Sequence, residues 1–211
     1  MKLSVAEISN SLPAWRRETE KDILIVRYIY RAFGNYIAWA LIRLGIPCKM
    51  VVAMGVLIGV IGCGLIAFGS YWIIVVGCLL ILVRAWLDYA DGTVARATHT
   101  TDKEGAYFDL VGDNLLDVLF PISVGLCTGM LEWGLVLAVL HTWSNLTLQD
   151  GKTVFGEDGD VYRTEGFSLW KLVFLFGTNI QAMFYPALLV AVMFGRVDIY
   201  LYMFKIGRAH V

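Results

Sequence analysis

Charge is what this 211-residue sequence has least of: 17% of its residues are charged and 58% are hydrophobic, where a soluble domain carries about a quarter charged and about half apolar. With a mean hydropathy of +0.68, that shortage excludes a water-soluble globular protein. Net charge is −1, from 17 basic and 18 acidic residues, so no excess of one sign points to nucleic acid or to a polybasic membrane anchor. Cysteine is scarce as well. Cys48, Cys63, Cys78 and Cys127 form no CxxC pair and lie in or beside apolar runs, where they pack as small hydrophobes and give no disulfide framework. The first 22 residues lack the basic and apolar segments of a signal peptide and carry Glu7, Glu18, Glu20 and Asp22; they read as a polar cytoplasmic arm.

What the chain does have is apolar helix-length runs. A span across a ~30 Å hydrocarbon core takes about 20 residues at ~1.5 Å each, which allows roughly six spans and leaves no room for a separate soluble catalytic domain. The expected fold is therefore all-α, a polytopic membrane helix bundle of six transmembrane helices. Ahead of the spans, Ile23 to Leu44 interleaves Arg27, Arg31 and Arg43 with Tyr28, Tyr30, Phe33, Tyr36 and Trp39, the pattern of an amphipathic helix lying in the headgroup plane. Gly45 and Pro47 end it. Spans are then expected over Met50 to Phe68, Tyr71 to Ala97, Gly105 to Met130, Leu131 to Leu148 and Phe167 to Gly195, the fifth with a kink at Pro186. A polar loop, Gln149 to Gly166, separates the fourth from the fifth.

Val197 to Lys205 begins a sixth span that is too short to cross. The closing string Ile206 to Val211 resembles a one-frame translation of a sequencing adapter, so a truncated reading frame with a spurious end is expected. The organisation is then 1–44, arm and interfacial helix; 45–205, transmembrane domain; 206–211, non-native tail. Gly55 and Gly59 have the small-xxx-small spacing that serves either packing within a bundle or a dimer seam. The arm and interfacial helix, the second-to-third connection and the fourth-to-fifth loop hold nearly all of the lysines and arginines, the first-to-second and third-to-fourth turns hold none, and Arg196 is the one basic residue placed outside. The N-terminus and the acidic cluster between the second and third spans are thus expected to face the cytoplasm.

That cluster carries the chemistry. A charge within a span costs about 2.5–3.5 kcal/mol at a helix centre, so intramembrane carboxylates are functional candidates by default. Asp88 and Asp91 lie three apart, one turn beyond Arg84, and Asp109, Asp113 and Asp117 lie four apart on the next helix. Side by side, two such helices bring like charges together, which demands cations. Hard carboxylate oxygens without nearby His or Cys favour Mg²⁺ or Mn²⁺, and a shared cluster suits two ions clamping a phosphoryl group. His99 and His141 have no partners at ligand spacing and read as polar interfacial residues. Lys152, Arg163 and Lys171 sit in or near a loop too acidic to make a clear phosphate site.

From Asp88 the chain runs Asp-x2-Asp-Gly-x2-Ala-Arg-x8-Gly-x3-Asp-x3-Asp, fixing Asp88, Asp91, Gly92, Ala95, Arg96, Gly105, Asp109 and Asp113. A chance match to so many fixed positions is on the order of one in ten million. This pattern resembles the signature of the CDP-alcohol phosphotransferase (CDP-alcohol phosphatidyltransferase) family, and Leu41 to Pro47 resembles that family's juxtamembrane approach.

The resemblance implies a membrane-embedded enzyme of phospholipid biosynthesis. It would move a phospho-alcohol group from a CDP-linked donor to an acceptor hydroxyl and release CMP. Asp88, Asp91 and Asp109 would be metal ligands, and Asp113 a ligand or the base that takes the acceptor proton. Gly92 and Ala95 would leave room for the nucleotide, Arg96 would offer its fork to phosphate oxygens, and Gly105 would let backbone approach the nucleotide. Asp117 would support the metal site or be a satisfied buried acid, and Arg84 would pair with Asp88 or another acid. A homodimer is expected from the family, and CDP-diacylglycerol is the favoured donor; the sequence names no acceptor. Two other readings exist. A prenyltransferase-like enzyme fits the Asp109, Asp113, Asp117 stripe alone, and a cation carrier fits the aspartates but gives no reason for Gly92, Ala95, Arg96 and Gly105.

Overall fold

The structure is a computed structural model describing residues 4–13, 26–101, 103–155 and 185–195, and among these no strand occurs. The protein is an all-helical membrane bundle. It divides into two compact units, Met1–Leu116 and Asp117–Val211.

In the first unit the arm is not simply polar. Helix α1, Val5–Asn10, starts with a capping box in which the Ser4 hydroxyl accepts from the Glu7 N–H while the Glu7 carboxylate accepts from the Ser4 N–H. The Ser4 N–H and then the Ser4 hydroxyl, both donating to that carboxylate, hold the Glu7 carboxyl below the usual carboxylate range. The cap presents Ile8, 1% exposed, to a core formed with Ala38, Leu41, Val51, Leu87, Ala90, Val94 and Ala97. The signal was legible as Ser-x-x-Glu followed by an apolar residue.

A π-helical turn, Val26–Arg31, leads into α2, Ala32–Leu44. Gly45 closes α2 in the left-handed region at φ 71°, and the Ile46 N–H donates back to the Leu41 carbonyl at 3.1 Å. The expected interfacial segment is thus helical over its described part, with Tyr28, Phe33 and Tyr36 exposed and Tyr30 and Ala38 buried.

Helices α3, Cys48–Phe68, and α4, Tyr71–Ala97, are joined by Gly69 and Ser70 alone, so they pack as an antiparallel hairpin. Both, with α5, Lys103–Thr128, are long and apolar enough to cross a membrane. Their outward faces carry Leu57, Phe68, Trp72, Val76, Phe108 and Val111 exposed, while Arg84 and Asp91 are buried. A soluble fold would reverse that distribution. Gly55 and Gly59 are buried within the chain: an ideal Cβ at Gly55 would stand 3.7 Å from the Leu87 Cβ, and one at Gly59 2.6 Å from a Leu116 methyl. Their spacing therefore serves packing within the bundle, and these two residues are not open to form a dimer seam.

The turn after α4 ends on a left-handed residue that is not glycine. His99 has φ 55°, and the Thr100 N–H donates to the Ala95 carbonyl at 2.9 Å. Left-handed backbone costs an L-residue roughly 1–2 kcal/mol. His99→Gly is expected to stabilise the protein by about 1 kcal/mol, raising Tm by about 2–4 °C in a detergent melt.

In the second unit, α5 continues past Pro121, whose missing N–H cannot donate to the Asp117 carbonyl. Helix α6, Leu131–Phe155, follows a two-residue turn. The two helices approach closely where Gly125 meets Gly134, an ideal Cβ on the former falling 3.0 Å from the Cα of the latter. α6 runs beyond the expected fourth span, so Asp150 and Lys152 are helical rather than in a loop. The continuation Gln149 to Phe155 holds one glycine, Gly151, and no proline, which is not enough to stop a helix already under way. Residues 185–193 form the last helix among the described residues, α7, with Tyr185 packed edge-on against Phe120 at 5.0 Å. The expected loop from 156 onward with Arg163, Lys171 and most of the fifth span, the sixth span and the 206–211 tail lie outside the described residues.

Candidate active site

Helices α4 and α5 hold the site, and the sequence explains its local shape. One turn separates Asp88 from Asp91 on α4, which places both on the face toward the start of α5. The structure brings one oxygen from each of Asp88, Asp91 and Asp109 to within 4.8 Å of the other two. Asp91 is 6% exposed, and Asp88 and Asp109 are half-buried. Cys48 at the start of α3 donates its thiol to the Asp91 carbonyl at 3.4 Å, tying that turn of α4 to its neighbour. Three carboxylates this close repel one another strongly in a medium less polar than water. Such a set of hard oxygen donors fits a divalent cation of the Mg²⁺ or Mn²⁺ type.

Asp113 is not part of that trio. Its Oδ1 accepts from Arg84 Nη2, and the same nitrogen lies 3.3 Å from Asp88 Oδ1. Arg84 is 6% exposed. Its stem passes over Gly59, where an ideal Cβ would stand 3.3 Å from Arg84 Cγ. The glycine on α3 thus makes room for the arginine on α4.

Of the other signature residues, Gly92 lies under the Arg96 guanidinium, whose Nη1 would be 3.1 Å from a Cβ there. Arg96 Nη2 donates to the Thr93 hydroxyl at 3.4 Å, which in turn donates to the Tyr89 carbonyl at 2.9 Å. Ala95 is half-buried on the same helix, and Gly105 is the third residue of α5. Asp117, one turn beyond Asp113 along α5, is 4% exposed and pairs with His141 Nε2 at 3.3 Å in the second unit. Sequence reasoning found no partner for His141, because the pairing joins two helices and has no spacing to read.

The interfacial segment locks onto the same stretch of α4. Tyr30 stacks on Tyr89 at 5.4 Å and Phe33 on Trp86 at 4.9 Å, while Arg31 lies over the Tyr89 ring at 4.8 Å. The close approach is possible at Gly34, whose ideal Cβ would meet the Tyr89 Cβ at 2.9 Å. Burial of Tyr30 pushes its hydroxyl above the ordinary phenol range, so it stays neutral. These contacts were missed because the aromatics read equally well as headgroup anchors.

Clustered aspartates on neighbouring helices of a membrane bundle are compatible with phosphoryl transfer, and it is the family the chain matches that makes it an integral membrane phosphotransferase of phospholipid synthesis. The family model described as CDP-alcohol phosphatidyltransferase matches residues 44–206, and the chain belongs to that family. No curated protein matches the chain.

Proposed function

We propose that the protein transfers a phosphatidyl group from CDP-diacylglycerol to the hydroxyl of a small polar alcohol, with release of CMP. The convergence of Asp88, Asp91 and Asp109 is the observation that carries this reading. A Mg²⁺ or Mn²⁺ ion on these three carboxylates would neutralise the donor pyrophosphate and make CMP a better leaving group.

The remaining roles fall to the chain's own groups. Asp113 accepts the proton of the acceptor hydroxyl as the new oxygen–phosphorus bond forms, and the bond from that phosphorus to the CMP oxygen breaks. Arg96 turns its fork from Thr93 to phosphate oxygens of the donor. Gly92, Ala95 and Gly105 keep the helix surfaces low where the nucleotide lies. Asp117, already paired with His141, is a satisfied buried acid rather than a ligand. The distribution of lysine and arginine supports a site and an N-terminus on the cytoplasmic side, and the working assembly is a homodimer.

The test is radiolabelled CMP release by membranes carrying the protein. CDP-diacylglycerol is offered with glycerol phosphate, inositol phosphate or serine, and CDP-choline or CDP-ethanolamine with diacylglycerol. Release should require acceptor and divalent ion, and EDTA should lower it at least about 100-fold. Turnover only with the soluble CDP-alcohols would reverse the donor assignment. Silence with every pair from folded protein would sink the transferase reading.

A further inference from the structure

The start of α3 is an unfavourable place for a lysine. Pro47 caps that helix without a side-chain hydrogen bond and the first turn holds no acidic residue, so the turn itself supplies no anion to offset Lys49 at the positive end of the helix dipole. The anion comes from another helix. Lys49 Nζ donates to Glu104 Oε2 at 2.9 Å, joining the first turn of α3 to the first turn of α5 across 55 residues of chain.

The place of this bridge gives it a meaning. Cys48, the residue before Lys49, donates its thiol to the Asp91 carbonyl, so Lys49 starts beside the turn of α4 that carries Asp88 and Asp91. Glu104 precedes Asp109 by five residues, about 7.5 Å along α5. The pair thus links two helix starts that flank the aspartate trio. Resting on the function proposed above, we propose that Lys49 is a further binding residue for the diphosphate of the donor. Glu104 is its resting partner, a carboxylate that accepts from the ammonium until phosphate oxygens of the donor take its place.

Three properties suit the exchange. The two side chains are 49% and 78% exposed, and an ion pair so open to water contributes little, so it separates readily. A lysine ammonium is a point charge on a flexible four-carbon stem, able to turn from one oxygen to another while the backbone stays still. Glu104, once released, remains in the first turn of α5, where the helix dipole favours a carboxylate.

The experiment measures binding rather than turnover. The full chain in detergent is given Mn²⁺ and no acceptor, and dissociation constants are measured for radiolabelled CDP-diacylglycerol and CDP-choline, which share the diphosphate. For whichever donor the protein takes, Glu104→Gln is expected to tighten binding about two- to fivefold, because the ammonium no longer has to leave a carboxylate. Lys49→Gln should weaken it about tenfold. In the double variant the gain from Glu104→Gln should vanish, and that non-additivity is the mark of a shared ammonium. A merely structural bridge would instead give equal losses of Tm with no tightening. Lys103→Gln removes the same charge as Lys49→Gln from the residue next to Glu104, and should change binding by less than about twofold. Unchanged or weaker binding by Glu104→Gln, tightening that survives in the double variant, or a Lys103→Gln loss as large as that of Lys49→Gln would overturn the exchange and leave the proposed function standing. Failure of the folded, unaltered protein to bind either donor would overturn both.

Discussion

Asp91→Asn is expected to lower CMP release at least about a thousandfold and at the same time to raise the melting temperature of the metal-free protein. Both effects follow from one carboxylate. Asp91 is the most buried of the three clustered acids, and its two neighbours lie within 4.8 Å. At that separation two carboxylates repel by about 3 kcal/mol at an effective dielectric near 20. Replacing one with a neutral amide of the same shape removes repulsion that the metal-free fold must bear. The reaction loses what the fold gains. A bound ion contributes several kcal/mol of charge stabilisation to phosphoryl transfer, and about 4 kcal/mol corresponds to a thousandfold in rate. Melts with EDTA and with Mn²⁺ separate the two effects. The unaltered protein should gain several degrees on adding Mn²⁺, and Asp91→Asn should start higher and gain nothing. A variant that kept a tenth of the activity, or the full Mn²⁺ shift, would remove Asp91 from the ligand set.

The parts of this picture that were legible in the sequence are those set by local patterns. Apolar run length placed α3 and α4 within about two residues, because nothing but Gly45, Pro47 and the Gly69-Ser70 pair interrupts them. Helical periodicity put Asp88 with Asp91 and placed Asp109 on a second stripe. Contacts between elements were not legible. Helix spacing treats Asp109, Asp113 and Asp117 as equivalent, whereas packing gives Asp109 to the trio, Asp113 to Arg84 and Asp117 to His141. Which acid meets which partner depends on how far each neighbouring helix stands off, and glycines on those neighbours set that distance. The docking of Ile8 was obscured differently: six residues of helix have too little hydrophobic pattern to register, and only the capping box marks them.

The standoff between α3 and α4 is the quantity on which the site depends most, and Gly77→Leu tests it. An ideal Cβ at Gly77 would lie 2.9 Å from the Gly62 carbonyl oxygen and 3.1 Å from the Ile66 nitrogen. These are backbone atoms, so no rotamer can yield and the helices themselves must part. Overpacking of this kind costs about 3 kcal/mol or more, a large part of the 5–15 kcal/mol that holds a typical domain together. Gly77→Leu is expected to lower Tm by about 10 °C in a detergent melt. Gly64 is the internal control: it lies on the same helix as Gly62 with nothing within 4 Å of its ideal Cβ. Gly64→Ala should leave Tm unchanged or raise it, since alanine is the better helix former by about 1 kcal/mol. The site should register the same displacement. Arg84 lies two turns beyond Gly77 on α4 and passes over Gly59 on α3, so parting the helices draws the guanidinium from Asp113. Gly77→Ala, the milder change, should therefore lose CMP release out of proportion to its loss of stability. If activity instead follows folded fraction alone, the α3–α4 separation does not set the reach of Arg84, and another contact must hold Asp113 in place.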